Sequence, residues 1–445
     1  MERPQMQAGP AVPRGAAPSQ GSGPAGETPA GPADSAPEFA GREMAGAGLA
    51  VVALCFGMNM LARGLGESFA VFLLPVTEDL GWSRGAFSSI YAVYMIAQGL
   101  AAPLAGALFD RHGARAVWVP ALMLFGAGLL VASAMTEWWM AVLGPGVMVG
   151  FGVAGTGMAV GAGLIARWFR GELTMAMAGA YAGLSVGMIT VAPLAAAIIE
   201  AEGWRFAYRL MGAILLVAGP VLLVALPWRR IGAGRWPSAP RSRSLFPPRR
   251  ILVEKEFLGL FVALMMTAVC TWSVLLQLVA YLTELGYSPL AAATAYGVVG
   301  GLSIVGILAT GWLADRFGRR PVLTASFSMS ALGVVVLWLL ELAPGFALLA
   351  AFVAVFGCNM GSRGPVVTAL VARLYPQNVG AVFGMITIGL GIGSAVGGFA
   401  SGLLHDLTGG YGASFVLAIV AAGLGLAPFW LVRSIATGRR DEDGG

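Results

Sequence analysis

The chain is short of charge. Asp, Glu, Lys and Arg make up 11% of its 445 residues, where soluble globular domains carry roughly a quarter. That deficit excludes an ordinary water-soluble fold. Histidine is scarcer still, with only His112 and His405. Both fall in predicted loops, so a histidine metal centre or proton relay has almost no material. The three cysteines, Cys55, Cys270 and Cys358, lie one each in separate apolar runs. No C-x-x-C spacing joins them, so no disulfide or thiolate metal site is expected. There is no Gly-x-x-x-x-Gly-Lys-Ser/Thr loop, which argues against nucleotide-driven work. No clustered Ser, His and Asp and no paired acids at a membrane face support an enzyme. The sequence therefore assigns no catalytic residue, no metal and no cofactor.

What is present is apolar. Hydrophobic residues make up 58% of the chain, in runs of about 20 residues or more, long enough to cross a bilayer as helices. Alternation over about 10 residues, the mark of a membrane barrel, is absent. The expected helices are residues 44–76, 84–108, 116–136, 138–167, 172–199 and 204–228, then 256–282, 289–313, 321–342, 344–374, 379–404 and 413–435. Residues 1–43 are rich in Pro, Gly, Ala and Ser and read as a disordered tail with no signal-peptide h-region. Residues 229–255 carry Arg229, Arg230, Arg235, Arg241, Arg243, Arg249 and Arg250, a basic linker suited to lipid headgroups. Residues 437–445 are a polar tail.

The formal net charge of +5 would fit a nucleic-acid partner, but its placement does not. Arg111, Arg115, Arg167, Arg170, the linker arginines, Arg316, Arg319, Arg320 and Arg373 fall in loops on one side. Glu78, Asp79, Glu137, Glu200, Glu202, Glu284, Glu341 and Asp406 fall on the other, with few arginines (Arg84, Arg205, Arg209). By the positive-inside rule both termini are expected in the cytoplasm and the protein in the cell (inner) membrane. No nucleic acid is expected as a partner.

One stretch occurs twice. Gly106-Ala107-Leu108-Phe109-Asp110-Arg111-His112-Gly113-Ala114-Arg115 reappears as Gly311-Trp312-Leu313-Ala314-Asp315-Arg316-Phe317-Gly318-Arg319-Arg320. Each copy is a polar, positive hairpin between two apolar runs. Two copies at matching places indicate a duplication, with halves 44–228 and 256–436. The pattern Gly-x-x-x-Asp-Arg-x-Gly-x-Arg resembles the signature loop of the major facilitator superfamily, between helices 2 and 3 and between helices 8 and 9. The resemblance implies an all-α membrane protein of twelve transmembrane helices in two pseudo-symmetric six-helix halves, working as a monomer. It further implies that Asp110 with Arg111 and Arg115, and Asp315 with Arg316 and Arg320, form charge networks that gate the conformational change. Retention of topology by the arginines alone is the other reading. Gly81-Trp82-Ser83-Arg84, and Arg167-Trp168-Phe169-Arg170 with Ala176 to Gly187, resemble the oxalate:formate antiporter and monocarboxylate transporter branch. That branch places its key cation in helix 8 or 11, and neither run here has one mid-membrane. Gly179, Gly183 and Gly187 make one smooth face of helix 5, for packing alone or for sliding.

Charges inside apolar runs cost about 2.5–3.5 kcal/mol each on insertion scales. Arg63, Glu67 and Arg363 are the clear cases. Arg63 and Glu67 share a face of helix 1, about 6 Å apart along the axis. Either they satisfy one another, or Arg63 meets an anionic substrate while Glu67 takes the proton. Glu67 is also readable as a solvated residue at the outer mouth. Arg363 lies in Gly357-Cys358-Asn359-Met360-Gly361-Ser362-Arg363-Gly364-Pro365 with no acid within a turn. Gly364-Pro365 is expected to kink helix 10 there. An unpaired guanidinium suits a carboxylate; pairing with Glu67 and helix packing are the alternatives. The resemblance implies that helices 1, 4, 7 and 10 line the cavity. Asn59, Asn359, Gln277 and Tyr281 are further substrate-site candidates, with Thr156, Trp272 and Tyr296 behind them. The expected activity is gradient-driven movement of a small organic anion, a monocarboxylate, with a proton or in exchange for a counter-anion. The alternative is proton-coupled efflux of apolar or cationic compounds anchored at Glu67.

Overall fold

The computed structural model describes residues 38–169, 173–233, 248–375, 379–432 and 434–435. The expected tails up to residue 37 and from 436, and residues 234–247 of the basic linker, lie outside the described residues, as does Arg170. Every regular element among the described residues is helical. In lipid only a helix or a closed barrel satisfies its own backbone.

Eleven helical stretches are long and apolar enough to cross a membrane. Spans 1 to 6 are Ala47–Leu80, Arg84–Phe109, Ala114–Ser133, Trp138–Ile165, Ala176–Glu202 and Trp204–Ala225. Spans 7, 8 and 9 are Lys255–Glu284, Pro289–Ala314 and Arg319–Leu339. Spans 11 and 12 are Val382–Thr408 and Gly412–Leu431. Between them Phe346–Asn359 and Arg363–Leu374 follow one another and make span 10. The twelvefold plan read from the sequence is thus present.

Local chemistry sets the span ends. Ser83 accepts from the Ala86 N–H at 3.1 Å and starts span 2, and Ser288 does the same for span 8 through Ala291 at 3.2 Å. Both signature loops close on one glycine in the same backbone conformation, Gly113 at φ +81° and Gly318 at φ +86°. That region favours glycine, so the sequence repeat is also a repeat of shape.

Three spans depart from the unbroken helices expected. Span 1 is two helices, Glu38–Gly66 and Phe69–Leu80. Gly64 and Gly66 weaken the helix there, and the Ser68 hydroxyl donates to the Leu65 carbonyl at 2.7 Å, competing with the backbone ladder. Span 4 carries a π-helical turn, Val142–Met148, around Pro145, where the wider turn accommodates the missing N–H. It breaks again at Gly157 before Met158–Ile165. Span 10 breaks at Met360-Gly361-Ser362, with Gly361 at φ +75°, rather than kinking at Gly364-Pro365. Pro365 instead sits in the first turn of the helix Arg363–Leu374. Proline is tolerated there because first-turn N–H groups have no intrahelical partner. Arg363 consequently opens a helix instead of standing mid-helix.

The halves meet chiefly through span 2 on span 11 and span 5 on span 8, with the second helix of span 1 against span 7. The glycine face of span 5 packs within the first half: Gly183 lies against the Phe56 carbonyl and Gly187 against the Met60 carbonyl of span 1, too close for any side chain.

Candidate functional site

The break in span 1 places two charges in the protein interior. Arg63, on the last turn of the first helix, forms an ion pair with Glu67 in the break. The two differ in exposure: the Arg63 side chain is 33% exposed and that of Glu67 1%. Glu67 is therefore no solvated mouth residue. Its second carboxylate oxygen has no hydrogen-bond partner among the described residues.

Aromatic and amide groups converge on this break from three other spans. Tyr296 of span 8 donates its hydroxyl to the Glu67 carbonyl at 2.6 Å, a contact between the halves. Tyr91 and Tyr94 of span 2 are buried, and neither hydroxyl has a partner among the described residues. Their rings lie 5.7 Å apart, tilted by 41°, and both pack on Phe69, the first residue beyond the break. Trp272 of span 7 covers Tyr91 at 5.2 Å. One turn from Tyr91, Ser88 accepts from the Gln277 amide at 3.2 Å, and the Gln277 carbonyl oxygen has no partner among the described residues. Unpaired polar groups inside a protein are costly, which makes this break the first candidate for a site that takes a polar guest.

The second constellation surrounds Arg363. It is 3% exposed and has no ion-pair partner among the described residues, but uncharged groups bond to it. One terminal nitrogen donates to the Ser326 carbonyl at 2.9 Å and to the Ser330 hydroxyl. Its guanidinium lies 4.0 Å over the Phe327 ring. Asn359 joins the network: its amide donates to the Ser326 carbonyl and Ser330 hydroxyl, and its oxygen accepts from Ser326 at 2.7 Å and Ser362 at 3.1 Å. The buried Arg363 Nε has no hydrogen-bond partner among the described residues. The partners are uncharged groups on span 9, which an inspection for nearby acids passes over. The Glu67 carboxylate pairs with Arg63, not with Arg363.

Two other candidates hold helices together. Asn59 donates to the Ala180 carbonyl of span 5 at 3.0 Å. Tyr281 donates to the Leu337 carbonyl of span 9 at 2.9 Å. Thr156 bonds back to Gly152 of its own helix at 3.0 Å. The residues missed by sequence reasoning are Tyr91, Tyr94 and Ser88, and Ser326 with Ser330. Their signal was spacing: 88, 91 and 94 share one face of span 2, and 326 and 330 one face of span 9.

At the end opposite the signature loops, one cluster joins the halves. The Arg84 guanidinium meets the Glu284 carboxylate and the Tyr411 hydroxyl. Asp406 of span 11 accepts from the backbone N–H groups of Arg84 at 3.1 Å and Gly85 at 2.7 Å. At the signature end, the Asp110 and Asp315 side chains lie outside the described part of the structure. Arg111 and Arg115 line a cavity there. Arg316 packs on Trp312 and Phe317, and Arg320 donates to the Phe429 carbonyl at 3.2 Å.

Twelve spans, with an ion pair at a helix break midway along the first, have the architecture of a membrane transporter. The family model of the Major Facilitator Superfamily matches residues 49–313 and 302–444. The chain is similar to monocarboxylate transporter 13 of Rattus norvegicus, 30% identical over 420 residues, 89% of this chain and 92% of that protein. It is 28% identical over 383 residues to monocarboxylate transporter 11 of Homo sapiens, 83% of this chain and 79% of that one. In fold it matches the crystal structure of a bacterial homologue of the human lysosomal transporter Spinster in an inward-facing and occupied conformation. The TM-score is 0.67 at 14% identity, covering 92% of this chain and 100% of that chain. The chain belongs to the major facilitator superfamily and is a multi-pass membrane transporter.

Proposed function

We propose that the protein moves a small monocarboxylate together with a proton, with Arg63 as the carboxylate partner and Glu67 as the proton carrier. The observation that carries this reading is the unequal exposure of the Arg63–Glu67 pair. Arg63 is reachable, so an incoming carboxylate can compete for its guanidinium fork. Glu67 is dry, so it cannot be left as a bare charge when Arg63 turns to the substrate. A proton on Glu67 removes that cost. One anion and one proton then travel together with no net charge. The names of the curated relatives support monocarboxylates as the substrate class. Gln277 and the Tyr91 and Tyr94 hydroxyls supply polar contacts for the rest of the substrate, and Arg363 with Asn359 supports the site from the second half.

Movement follows alternating access, with the halves 44–228 and 256–436 rocking about the site. The Arg84–Glu284–Asp406–Tyr411 cluster closes one end, and Asp110, Arg111, Arg115, Asp315, Arg316 and Arg320 act at the other. The charge bias of the loops supports cytoplasmic termini and a cell-membrane location. Efflux of cations anchored on Glu67 is less well supported, because Arg63 already occupies that carboxylate.

The test is uptake of labelled short-chain monocarboxylates into proteoliposomes holding a pH-sensitive dye. Saturable uptake with matching internal acidification is expected for the wild type, and neither for Arg63→Gln. Wild-type uptake by folded Arg63→Gln would remove Arg63 from the site. Uptake without acidification, present only against a loaded counter-anion, would replace symport by exchange.

A further inference from the structure

At the signature end of the first half, four arginines surround a cavity of about 400 Å³. Arg111 and Arg115 come from the turn between spans 2 and 3, and Arg167 from the end of span 4. Arg229 comes from a short helix, Trp228–Ala233, that follows span 6. His112 adds a fifth nitrogen base to the lining. No carboxylate is among the described lining residues, and none lies within ion-pair distance of these arginines among the described residues.

One of these cations rests on an aromatic ring rather than on a described carboxylate. The Arg167 guanidinium lies 4.7 Å over the Phe109 ring. The short helix is pinned in two places. Trp228 packs edge-on against Trp118 at 6.3 Å and donates to the Leu222 carbonyl at 2.9 Å. Trp168 donates to the Ile231 carbonyl at 2.9 Å. Those contacts fix Arg229 over the cavity, although like charges gathered around one space repel. Span 3 begins at the same place: Ala114 opens a helix of 20 residues whose N-cap, Gly113, has no side chain to satisfy the first-turn N–H groups. An uncapped helix start facing four guanidinium groups favours an anion with several oxygens.

The second signature copy is arranged differently. Arg320 is bonded to the Phe429 carbonyl and lies over Trp430, and Arg316 lies over Trp312 and Phe317. The arginines of the second copy thus lie on rings and a carbonyl, whereas those of the first line a cavity. It sits where spans 2, 4 and 6 end, at Phe109, Ile165 and Ala225, beside an interfacial tryptophan.

We infer that this cavity binds a phosphate group, that of an anionic phospholipid headgroup or of a soluble phosphate. The phosphate joins the turn after span 2, the ends of spans 3 and 4 and the short helix after span 6. It thereby braces the signature end of the first half.

The test measures melting temperature of the purified full-length protein in neutral detergent at constant ionic strength. The probes are short-chain phosphatidylglycerol, short-chain phosphatidylcholine and inorganic phosphate. A saturable rise with phosphatidylglycerol and not with phosphatidylcholine is expected. The half-saturating concentration should increase about fivefold in Arg229→Gln and in Arg167→Gln. Arg229→Lys should keep most of the response, and Arg209→Gln, at the opposite end, all of it. An equal rise with inorganic phosphate, weakened by the same variants, identifies a soluble phosphate as the occupant. Arg229 is exposed on its short helix, so its variants carry the test even where Arg167→Gln fails to fold. Equal responses to both lipids, no response to any probe, or responses unchanged in Arg229→Gln would overturn the site.

Discussion

Each half holds an arginine beside a helix break, and the two are satisfied in opposite ways. Arg63 meets a carboxylate one turn along its own span. Arg363 meets a carbonyl, a hydroxyl and a ring on the neighbouring span. The difference is one of reversibility. An ion pair to Glu67 can be dissolved by one proton, whereas bonds to the Ser326 carbonyl and Ser330 hydroxyl have nothing to titrate. The first arrangement can switch within a transport cycle. The second holds spans 9 and 10 in register whatever the load.

The sharpest way to break this comparison is Glu67→Gln. Its neutral amide imitates protonated Glu67 permanently. Net uptake driven by a pH gradient should fall by two orders of magnitude or more, on the order of 3 kcal/mol in the coupled step, while exchange between two substrate pools survives. For the wild type, uptake should rise as the pH on the entry side falls, because the anion binds once Glu67 is protonated. Counterflow assays at several pH values check both points. A pH gradient that still drives accumulation in Glu67→Gln would show that the proton travels elsewhere.

Arg363→Ala should act on stability before chemistry. It takes the guanidinium from Ser330, removes a stacked cation from Phe327 and opens space at a helix start. A loss of about 1–3 kcal/mol is expected, read as a lower melting temperature. Substrate affinity of the folded fraction should change less than in Arg63→Gln. An unchanged melting temperature with abolished binding would instead make Arg363 a direct anion ligand and the halves more alike than their contacts are.

Much of the first constellation was legible in the sequence, and little of the second. Arg63 and Glu67 stand four apart in an apolar run, and helix geometry alone makes them neighbours. The repeated Asp-Arg-x-Gly announced both the duplication and the matching backbone at Gly113 and Gly318. The partners of Arg363 were hidden because serines in membrane helices are common and usually bond their own backbone, as Ser133 does to Leu130. Nothing in a single span says which serine faces an arginine on another. The breaks were hidden for a related reason. Gly-Leu-Gly before Glu67 only permits a break, and the Ser68 bond and the packing of Phe69 on Tyr91 and Tyr94 accompany it in the fold. Tyr91 and Tyr94 read as core aromatics, and only the unpaired hydroxyls in the folded protein set them apart.

Those tyrosines give a finer comparison. The Tyr296 hydroxyl is bonded across the halves to the Glu67 carbonyl, while those of Tyr91 and Tyr94 have no partner among the described residues. Tyr296→Phe should cost about 1 kcal/mol of the state in which the halves touch here. Tyr94→Phe should leave the melting temperature unchanged or slightly higher, since it deletes an unsatisfied polar group, and should raise KM several-fold if the hydroxyl meets the substrate. Thermal melts paired with uptake kinetics separate these cases. A large destabilisation by Tyr94→Phe would mean that its hydroxyl is engaged.

The smallest effect belongs to the cluster at the end opposite the signature loops. Glu284 is 43% exposed at its side chain, so its ion pair with Arg84 should contribute less than about 1 kcal/mol. Asp406 accepts two backbone N–H groups at the start of span 2, satisfying donors that no residue within that helix can reach. Asp406→Asn should therefore open this end more readily than Glu284→Gln, although both remove one negative charge. The measurement is the rate at which a cysteine introduced at Ser88, on the buried face beyond the cluster, reacts with a membrane-impermeant thiol reagent, in a background with the three native cysteines replaced. A faster reaction in Asp406→Asn than in Glu284→Gln would identify the cap across the halves as the stronger hold. Equal rates would reduce both to the same loss of charge.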